Sequence, residues 1–446
     1  MKQVNLLTDS PRRLFFHYLG PTIGSSMVTS IYILADTIMV GQGIGDAGLA
    51  ALTIFMPIVA SFFALGLLLG VGGGVLMSVA KGSGNDSMAH KYFSTAMIAA
   101  ATVSICFAIF GSIFFDPMMY ALGADATNIE LIRGYGLCYT ISAPLFIFSS
   151  SLQSFIRNDK SPRHAMIAVL TGSGLNILLD YLFIFIFKMG MFGASLATSI
   201  GTSITVCILI IHFFTKKNTM RFSFRFFSIK ALWEIAKCGF SSFLIECANA
   251  VLVFVFNHTL LKYVGSVGVT VYSIMSNVAV VCMSLFNGVT LAAQPIIATN
   301  HGADNHKRVL QVRHIGTITS SVIAVIIFCV GFFFPDLLIY SFVNSPSSEI
   351  LELARYALRV YFFAYLFMNF NIFFSGYFQS TLRPVAAITI QILRSLLLSS
   401  ILVSVLPMIF GADAIWYAVP ITECVTFFVA MAFLFLGKFK KTKESK

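Results

Sequence analysis

Long apolar segments are the feature that most constrains this chain, because each can cross a lipid bilayer as one helix. A transmembrane α-helix needs about 20 consecutive apolar residues. Of the 446 residues, 58% are apolar and only 11% are charged, whereas about a quarter are charged in soluble domains. We therefore predict an all-α integral membrane protein with twelve transmembrane helices. The predicted spans are 14–40, 49–79, 92–115, 129–156, 163–187, 191–214, 231–261, 268–298, 310–334, 350–380, 384–409 and 412–437.

The start of the chain leads directly into the first predicted span. The sequence MKQVNLLTDSPRR leads into an apolar run longer than that of a signal peptide, and no small-residue cleavage site follows. We therefore expect a retained first helix and not a cleaved leader.

Positive charge is concentrated in alternate loops between the predicted spans. Cytoplasmic loops of membrane proteins are rich in Lys and Arg, so this pattern predicts that both termini are cytoplasmic. The same placement accounts for the net charge of +11 without a nucleic-acid partner. The basic residues of the proposed inner loops are Lys81, Lys91, Arg157, Lys160, Arg163, Lys216, Lys217, Arg221, Arg225, Lys230, Lys307, Arg308, Arg313 and Arg383. The acids of the outer loops are Asp46, Asp116, Asp125, Asp336, Glu349 and Asp413.

The two halves of the chain resemble each other at an offset of about 220 residues. IGDAGLAALTI (44–54) aligns with VGSVGVTVYSI (264–274), and IELIRGYGLCY (129–139) aligns with LELARYALRVY (351–361). LQSFIRNDKSP, which contains Gln153, aligns with FQSTLRP once a short loop is removed. Because each half has six spans, both halves start on the same side of the membrane, and we expect parallel repeats with a cavity between them.

The repeat predicts the domain organisation. We expect a first lobe over 1–215, a basic cytoplasmic linker over 216–230 and a second lobe over 231–446. An architecture of this kind favours a transporter, although a duplicated helical bundle need not transport anything.

Polar residues interrupt the apolar spans of the first half. Asn176 and Asp180 are four residues apart and share a helix face. Counted at about 1.5 Å per residue, Thr198 and Asp36 lie at nearly the same depth as Asp180. Oxygen ligands suit a hard cation such as Na⁺, and neighbouring carboxylates also suit a proton. We predict a cation site for H⁺ or Na⁺ here; the alternative is a hydrogen-bonded cluster that fixes helix packing.

Further polar residues and one proline lie within the spans. Pro21 lies on the same helix as Asp36 and predicts a kink or hinge. In the second half, Arg394 and Glu423 lie at similar depths and predict an ion pair, whereas Glu246 is a candidate for contact with a cationic substrate or a proton. Other polar candidates of the second half are Asn277, Asn369, Asn371 and Gln379.

The segment LGPTIGSSMVTSIYILADTIMVGQGIGDAGLAAL (19–52), with its D-x-x-x-V-G pattern, resembles the multidrug and toxic compound extrusion (MATE) family. The likeness extends over nearly the whole chain and includes both Gln-Ser…Arg…Pro segments. The chain is similar to bacterial members of the MepA type. The resemblance implies two six-helix lobes arranged as a V, and an antiporter that exchanges organic cations for Na⁺ or H⁺.

The resemblance also implies roles for individual residues. The family's first-lobe cation site matches Asp36, Asn176, Asp180 and Thr198, and its bending proline matches Pro21. A seventh-helix Glu of some members matches Glu246, but YLFMNFNIFFSGYFQ has no counterpart of the tenth-helix Asp that accompanies it. We therefore expect ion coupling in the first lobe. Supporting residues of the first-lobe cavity are Tyr32, Tyr135, Tyr139 and Gln153.

These observations predict a multi-pass exporter of amphipathic, often cationic compounds in the cytoplasmic membrane. We expect no cofactor beyond the coupling ion, no catalytic residues and a monomer in the bilayer. The alternatives are a flippase of a lipid-linked saccharide and an exporter of one specific metabolite; twelve spans and a single deep arginine argue against the flippase.

Overall fold

The computed structural model describes residues 4–343 and 346–444, and every regular element in these ranges is helical. The α-helices are α1 (Pro11–Ile44), α2 (Asp46–Gly82), α3 (Asp86–Ile113), α4 (Phe115–Ala121), α5 (Ile129–Ile141), α6 (Ala143–Asn158), α7 (Pro162–Asp180), α8 (Gly190–Ile211), α9 (Ile229–Tyr263), α10 (Ser266–Gly302), α11 (His306–Phe333), α12 (Pro335–Tyr340), α13 (Ser348–Phe362), α14 (Tyr365–Ser380), α15 (Pro384–Ile392), α16 (Leu398–Phe410) and α17 (Ala418–Glu444). Two π-helical turns, Tyr181–Ile186 and Leu393–Leu397, extend α7 and join α15 to α16.

Within the described ranges, ten helical segments are long and apolar enough to cross a membrane, and two bent helix pairs bring the number to twelve. The twelve predicted spans are therefore confirmed, but two of them are not straight. α5 and α6 meet at 52°, and α13 and α14 meet at 45°. Pro144 lies in the first turn of α6 and has no N–H to continue the α5 ladder, so the helix bends there.

The internal repeat is visible in the backbone and in matched ion pairs. Gly45 and Gly265 take the same left-handed conformation, with φ of 86° and 81°, which only glycine adopts readily. Arg133 bonds Asp116 at 2.5 Å in the first half, and Arg355 bonds Asp336 at 2.6 Å in the second. Each pair ties a short helix, α4 or α12, to the bent span that follows it.

α1 and α9 each contact the cores of both halves. Val40 near the end of α1 packs in the first-half core, while Phe15 and Tyr18 near its start pack with α10. α9 does the reverse, since Ile235 packs in the first-half core and Phe256 in the second-half core. These two helices therefore connect the halves in a pseudo-symmetric way.

The halves are in close backbone contact at the carboxyl ends of α2 and α10. A Cβ on Gly82 would lie 2.0 Å from the carbonyl oxygen of Thr299, and a Cβ on Gly302 would lie 2.0 Å from that of Val79. The two contacts are related by the repeat. Glycine at both positions lets the two helix backbones meet, which closes the space between the halves at this end.

Candidate cation and substrate site

Three helices of the first half bring the predicted cation-site residues together. Asp180 at the end of α7 is fully buried, Asn176 and Thr198 are buried, and Asp36 of α1 is half-buried. The Asn176 amide Nδ2 donates to the Thr198 hydroxyl at 3.3 Å, and that hydroxyl donates to the Ala194 carbonyl. The Thr198 hydroxyl thus binds the amide nitrogen of Asn176 and leaves the amide oxygen of Asn176 free.

Four side-chain oxygens of this cluster have no hydrogen-bond donor among the described residues. They are Oδ1 of Asp36, Oδ1 of Asn176 and both carboxylate oxygens of Asp180. The Asp36 and Asp180 carboxylates are close enough to interact with each other. Buried polar groups are nearly always bonded, so an unbonded set of acceptors with two acids is suited to receive a cation or a proton.

Close packing of α7 on α8 builds one wall of the cluster. A Cβ on Gly201 would lie 2.7 Å from the Gly172 carbonyl oxygen and 2.9 Å from the Asn176 Cβ. Small residues allow membrane helices to approach in this way. The contact sets Asn176 opposite Thr198, and the sequence signal for it is the pair of small-residue runs around Gly172 and Gly201.

The helix geometry changes immediately after Asp180. α7 ends at Asp180 and continues as the π-helical turn Tyr181–Ile186. π-helical turns are rare in proteins, and those that occur are often found at functional sites. The wider turn loosens the helical hydrogen-bond ladder. The hydropathy pattern alone gave no indication of it.

The predicted tyrosines occupy two different environments. Tyr32 interacts electrostatically with both Asp36 and Asp180, so it lies beside the cluster. Tyr135 and Tyr139 are buried and stacked on each other at 5.7 Å, and Tyr139 is also stacked on Phe146 at 4.0 Å. Tyr135 still interacts with both acids, so this aromatic stack, which belongs to the first-half core, adjoins the cluster.

A polar cavity of about 50 Å³ adjoins the cluster. Among its walls are four of the predicted residues, namely Tyr32, Gln153, Asn176 and Thr198. Such a volume accommodates a few waters or an ion, whereas drug-sized ligands need about 300–1,000 Å³. A larger substrate therefore requires the cavity to widen.

Several residues of the cavity wall were missed by the sequence reasoning. Each lies three or four positions from a predicted residue and so on the same helix face; helical periodicity would have identified it. They are Thr29, Ser149, Ser173 and Thr202.

Pro21 lies at the junction between the two halves and away from the cluster. α1 continues as an α-helix through it, and the Thr22 hydroxyl donates to the Gly288 carbonyl of α10 at 2.7 Å. The 15 positions to Asp36 correspond to about 22 Å of helix. The beginning of α1 is thus attached to the second half, while its end carries Asp36 into the first.

In the second half, Arg394 and Glu423 form a buried ion pair. Nε and Nη2 of Arg394 donate to one oxygen of Glu423 at 3.0 and 2.8 Å. Asn371 donates to the other oxygen at 2.7 Å. Glu246 on α9 and Asn277 on α10 are half-buried and take no part in these bonds.

Comparison with known proteins identifies the family. The MatE family model matches residues 21–182 and 238–406, which together are most of the chain. The chain belongs to the MatE family. This MATE protein is accordingly a multi-pass membrane transporter and not an enzyme, and the resemblance seen in its sequence is confirmed.

Relatives of this MATE protein match it over almost its full length. The multidrug export protein MepA of Staphylococcus saprophyticus is 27% identical over 432 residues, covering 96% of this chain and 94% of the relative. MepA of Staphylococcus aureus strain MSSA476 is 24% identical over 435 residues, covering 97% and 95%. A solved structure of a multidrug resistance MATE family transporter of the MOP superfamily, in an outward-facing conformation, has a TM-score of 0.92 at 22% identity and 99% coverage of both chains. The twelve-helix, two-lobe fold is therefore shared.

Proposed function

We propose that this MATE protein is a cation-coupled antiporter that exports amphipathic and cationic compounds across the cytoplasmic membrane in exchange for H⁺ or Na⁺. The observation that carries the proposal is the set of four unbonded oxygens on Asp36, Asn176 and Asp180. The MepA relatives, described as multidrug export proteins, support the substrate class.

The charge of the cluster supports coupling. Two carboxylates in a low-dielectric environment repel each other and are costly to bury unless a proton or a metal ion neutralises them. Loading with a cation therefore stabilises the cluster, and a positively charged substrate near Tyr32 competes for the same negative charge. This competition makes substrate and ion alternate, as antiport requires.

The second lobe contains its own fixed cation. Arg394 neutralises Glu423 in every step because a guanidinium does not lose its proton in proteins. This supports ion coupling in the first lobe alone, with Glu246 on α9 left as a candidate substrate contact.

The placement of α1 supports alternating access. We propose that the lobes extend over 1–215 and 231–446, with both termini cytoplasmic. The close contacts of Gly82 with Thr299 and of Gly302 with Val79 then lie at the cytoplasmic side. Separating the lobes there moves the start of α1 with α10, and Pro21 is the position at which α1 can bend while Asp36 stays in the first lobe.

Dye efflux from proteoliposomes under separately imposed proton and Na⁺ gradients tests this proposal. We expect one of the two gradients to drive efflux. Asp36→Asn and Asp180→Asn should abolish driven efflux while the proteins still insert, because each removes a negative charge from the cluster. Asp304→Asn is the matched control, since the Asp304 side chain is 93% exposed. Efflux by both site variants at the control rate, or efflux independent of both gradients, would refute the proposal.

A further inference from the structure

The segment between α8 and α9 is fixed to the first lobe by its backbone. The Ser94 hydroxyl of α3 donates to the Arg221 carbonyl at 3.3 Å and accepts from the Ser223 N–H at 3.1 Å. The Thr95 hydroxyl donates to the Phe226 carbonyl at 3.3 Å. These bonds hold the linker along α3, while most side chains from 221 to 230 remain exposed.

A buried carboxylate anchors the start of the same segment. Asp159 accepts from Lys81 Nζ at 2.6 Å, from His212 Nε2 at 2.9 Å and from the Thr219 N–H at 3.0 Å. Burial alone would raise the pKa of Asp159, but the bonds from His212, Lys81 and Thr219 outweigh it and lower the pKa below its usual value. The carboxylate stays ionised, so the anchor persists at neutral pH.

The linker and the first turns of α9 expose both aromatic and basic side chains. Phe222, Phe224 and Trp233 are 50%, 76% and 62% exposed, and the Phe222 and Phe224 rings contact edge to face at 5.1 Å. Arg221 and Arg225 are exposed on either side of these rings. We call this surface the basic–aromatic face; it consists of Arg221, Phe222, Phe224, Arg225, Phe227, Lys230 and Trp233.

The basic–aromatic face lies near one end of a membrane-spanning helix. Ser94 is eight residues beyond Asp86 at the start of α3, which corresponds to about 12 Å along the helix. α3 is one of the membrane-spanning helices. Aromatic rings at this depth enter the boundary between headgroups and acyl chains, while arginines extend back to the phosphate level.

We propose that the basic–aromatic face is a binding site for anionic phospholipids, with Arg221 and Arg225 bound to the headgroup phosphate and Phe222 and Phe224 inserted among the acyl chains. Anionic headgroups complement the cationic side chains, and each arginine near such a surface contributes about a fivefold gain in affinity. A soluble acidic partner would leave the exposed rings in water. The site depends on the proposed cytoplasmic position of the linker only for the choice of leaflet.

Tryptophan fluorescence in vesicles of symmetric composition tests the site independently of orientation and of transport. The chain has two tryptophans, and Trp416 is 1% exposed, so Trp416→Phe leaves Trp233 as the reporter. We expect phosphatidylglycerol with brominated acyl chains to quench Trp233 several-fold more effectively than brominated phosphatidylcholine at the same mole fraction. Arg221→Gln with Arg225→Gln should bring this ratio close to one.

A matched variant controls for the overall charge. Lys262→Gln with Lys307→Gln removes the same charge from exposed positions elsewhere and should leave the ratio unchanged. If Trp416→Phe does not fold, the difference between the native protein and Trp233→Phe gives the same signal. Equal quenching by the two lipids, a ratio unchanged by the arginine variant, or the same loss in the lysine control would overturn the proposal.

Discussion

Of all parts of the proposed cation site, the close contact between α7 and α8 should be the most sensitive to an added methyl group. In Gly201→Ala the new Cβ would lie 2.7 Å from the Gly172 carbonyl oxygen and 2.9 Å from the Asn176 Cβ. Comfortable contacts lie at about 3.5–4.0 Å, so the helices must separate by about 1 Å. The 3.3 Å bond from Asn176 to Thr198 would then exceed hydrogen-bonding distance.

Two effects of Gly201→Ala should follow from this separation. Overpacking of this kind costs about 1–3 kcal/mol of folding stability, and the displaced Asn176 should weaken gradient-driven efflux strongly. Gly174→Ala is the control, because Gly174 lies on α7, the partner helix of the contact, with no atom within 4 Å of the added Cβ. It should be neutral or slightly stabilising, since alanine favours helix over glycine by up to about 1 kcal/mol.

Thermal unfolding in detergent and dye efflux in proteoliposomes, measured side by side on the two variants, provide the test. We expect Gly201→Ala to unfold at a lower temperature and to transport more slowly than Gly174→Ala. Indistinguishable melting temperatures and rates would mean that close helix packing does not position the site.

Three further outcomes are expected elsewhere in the chain. Arg394→Met should destabilise the protein by about 3–5 kcal/mol, because it leaves Glu423 buried without its partner. The double variant Arg394→Met with Glu423→Leu should recover stability in thermal melts, and a double variant no more stable than Arg394→Met alone would contradict this. Asp159→Asn should lower stability at neutral pH. The pKa of Asp159 is lowered in the folded protein, so its ionised form stabilises the fold above the unfolded pKa of about 3.9. That contribution is lost as the pH falls through the lower folded pKa. Thermal melts across pH should therefore show the stability difference between Asp159→Asn and the native protein shrinking below about pH 4. Gly82→Ala should prevent closure against Thr299, so cysteines placed at 79 and 299 should cross-link less than in the parent. Unchanged cross-linking would show that this contact does not close the space between the halves.

The number of spans and the repeat could be predicted because both follow from local sequence. Bilayer thickness sets the length of each apolar run, and duplicated segments keep their glycines, as at Gly45 and Gly265. The depth of Asp36 and Asp180 could be counted in the same way, since helices rise by a fixed amount per residue.

The bends and the helix partners could not be predicted in this way. The break between α5 and α6 was not predicted, although Pro144 lies there. α13 and α14 bend without a proline, through short-range bonds from Phe363 and Ala364 back to Val360 and Tyr361. Hydropathy does not show which helices touch. The attachment of α1 and α9 to both lobes is a matter of tertiary packing, and so is the contact at Gly172.

Only some of the residues that line the cavity could be predicted from the sequence. Sequence reasoning selected residues that stand out chemically, such as Gln153 and Asn176. It passed over hydroxyl residues such as Ser149 and Thr202, because serine and threonine are common in membrane helices and often bond their own backbone. Only the arrangement of α6, α7 and α8 around one space distinguishes those that line it.

Cation release on substrate binding tests the central claim most directly. A cationic dye would be titrated into purified protein in weakly buffered solution, with released protons measured by a pH indicator and released Na⁺ by preloading with radioactive sodium. The proposed cation site at Asp36 and Asp180 predicts release from the native protein and from Asp304→Asn, and none from Asp36→Asn or Asp180→Asn. Release that persists in both site variants, with dye binding intact, would contradict it.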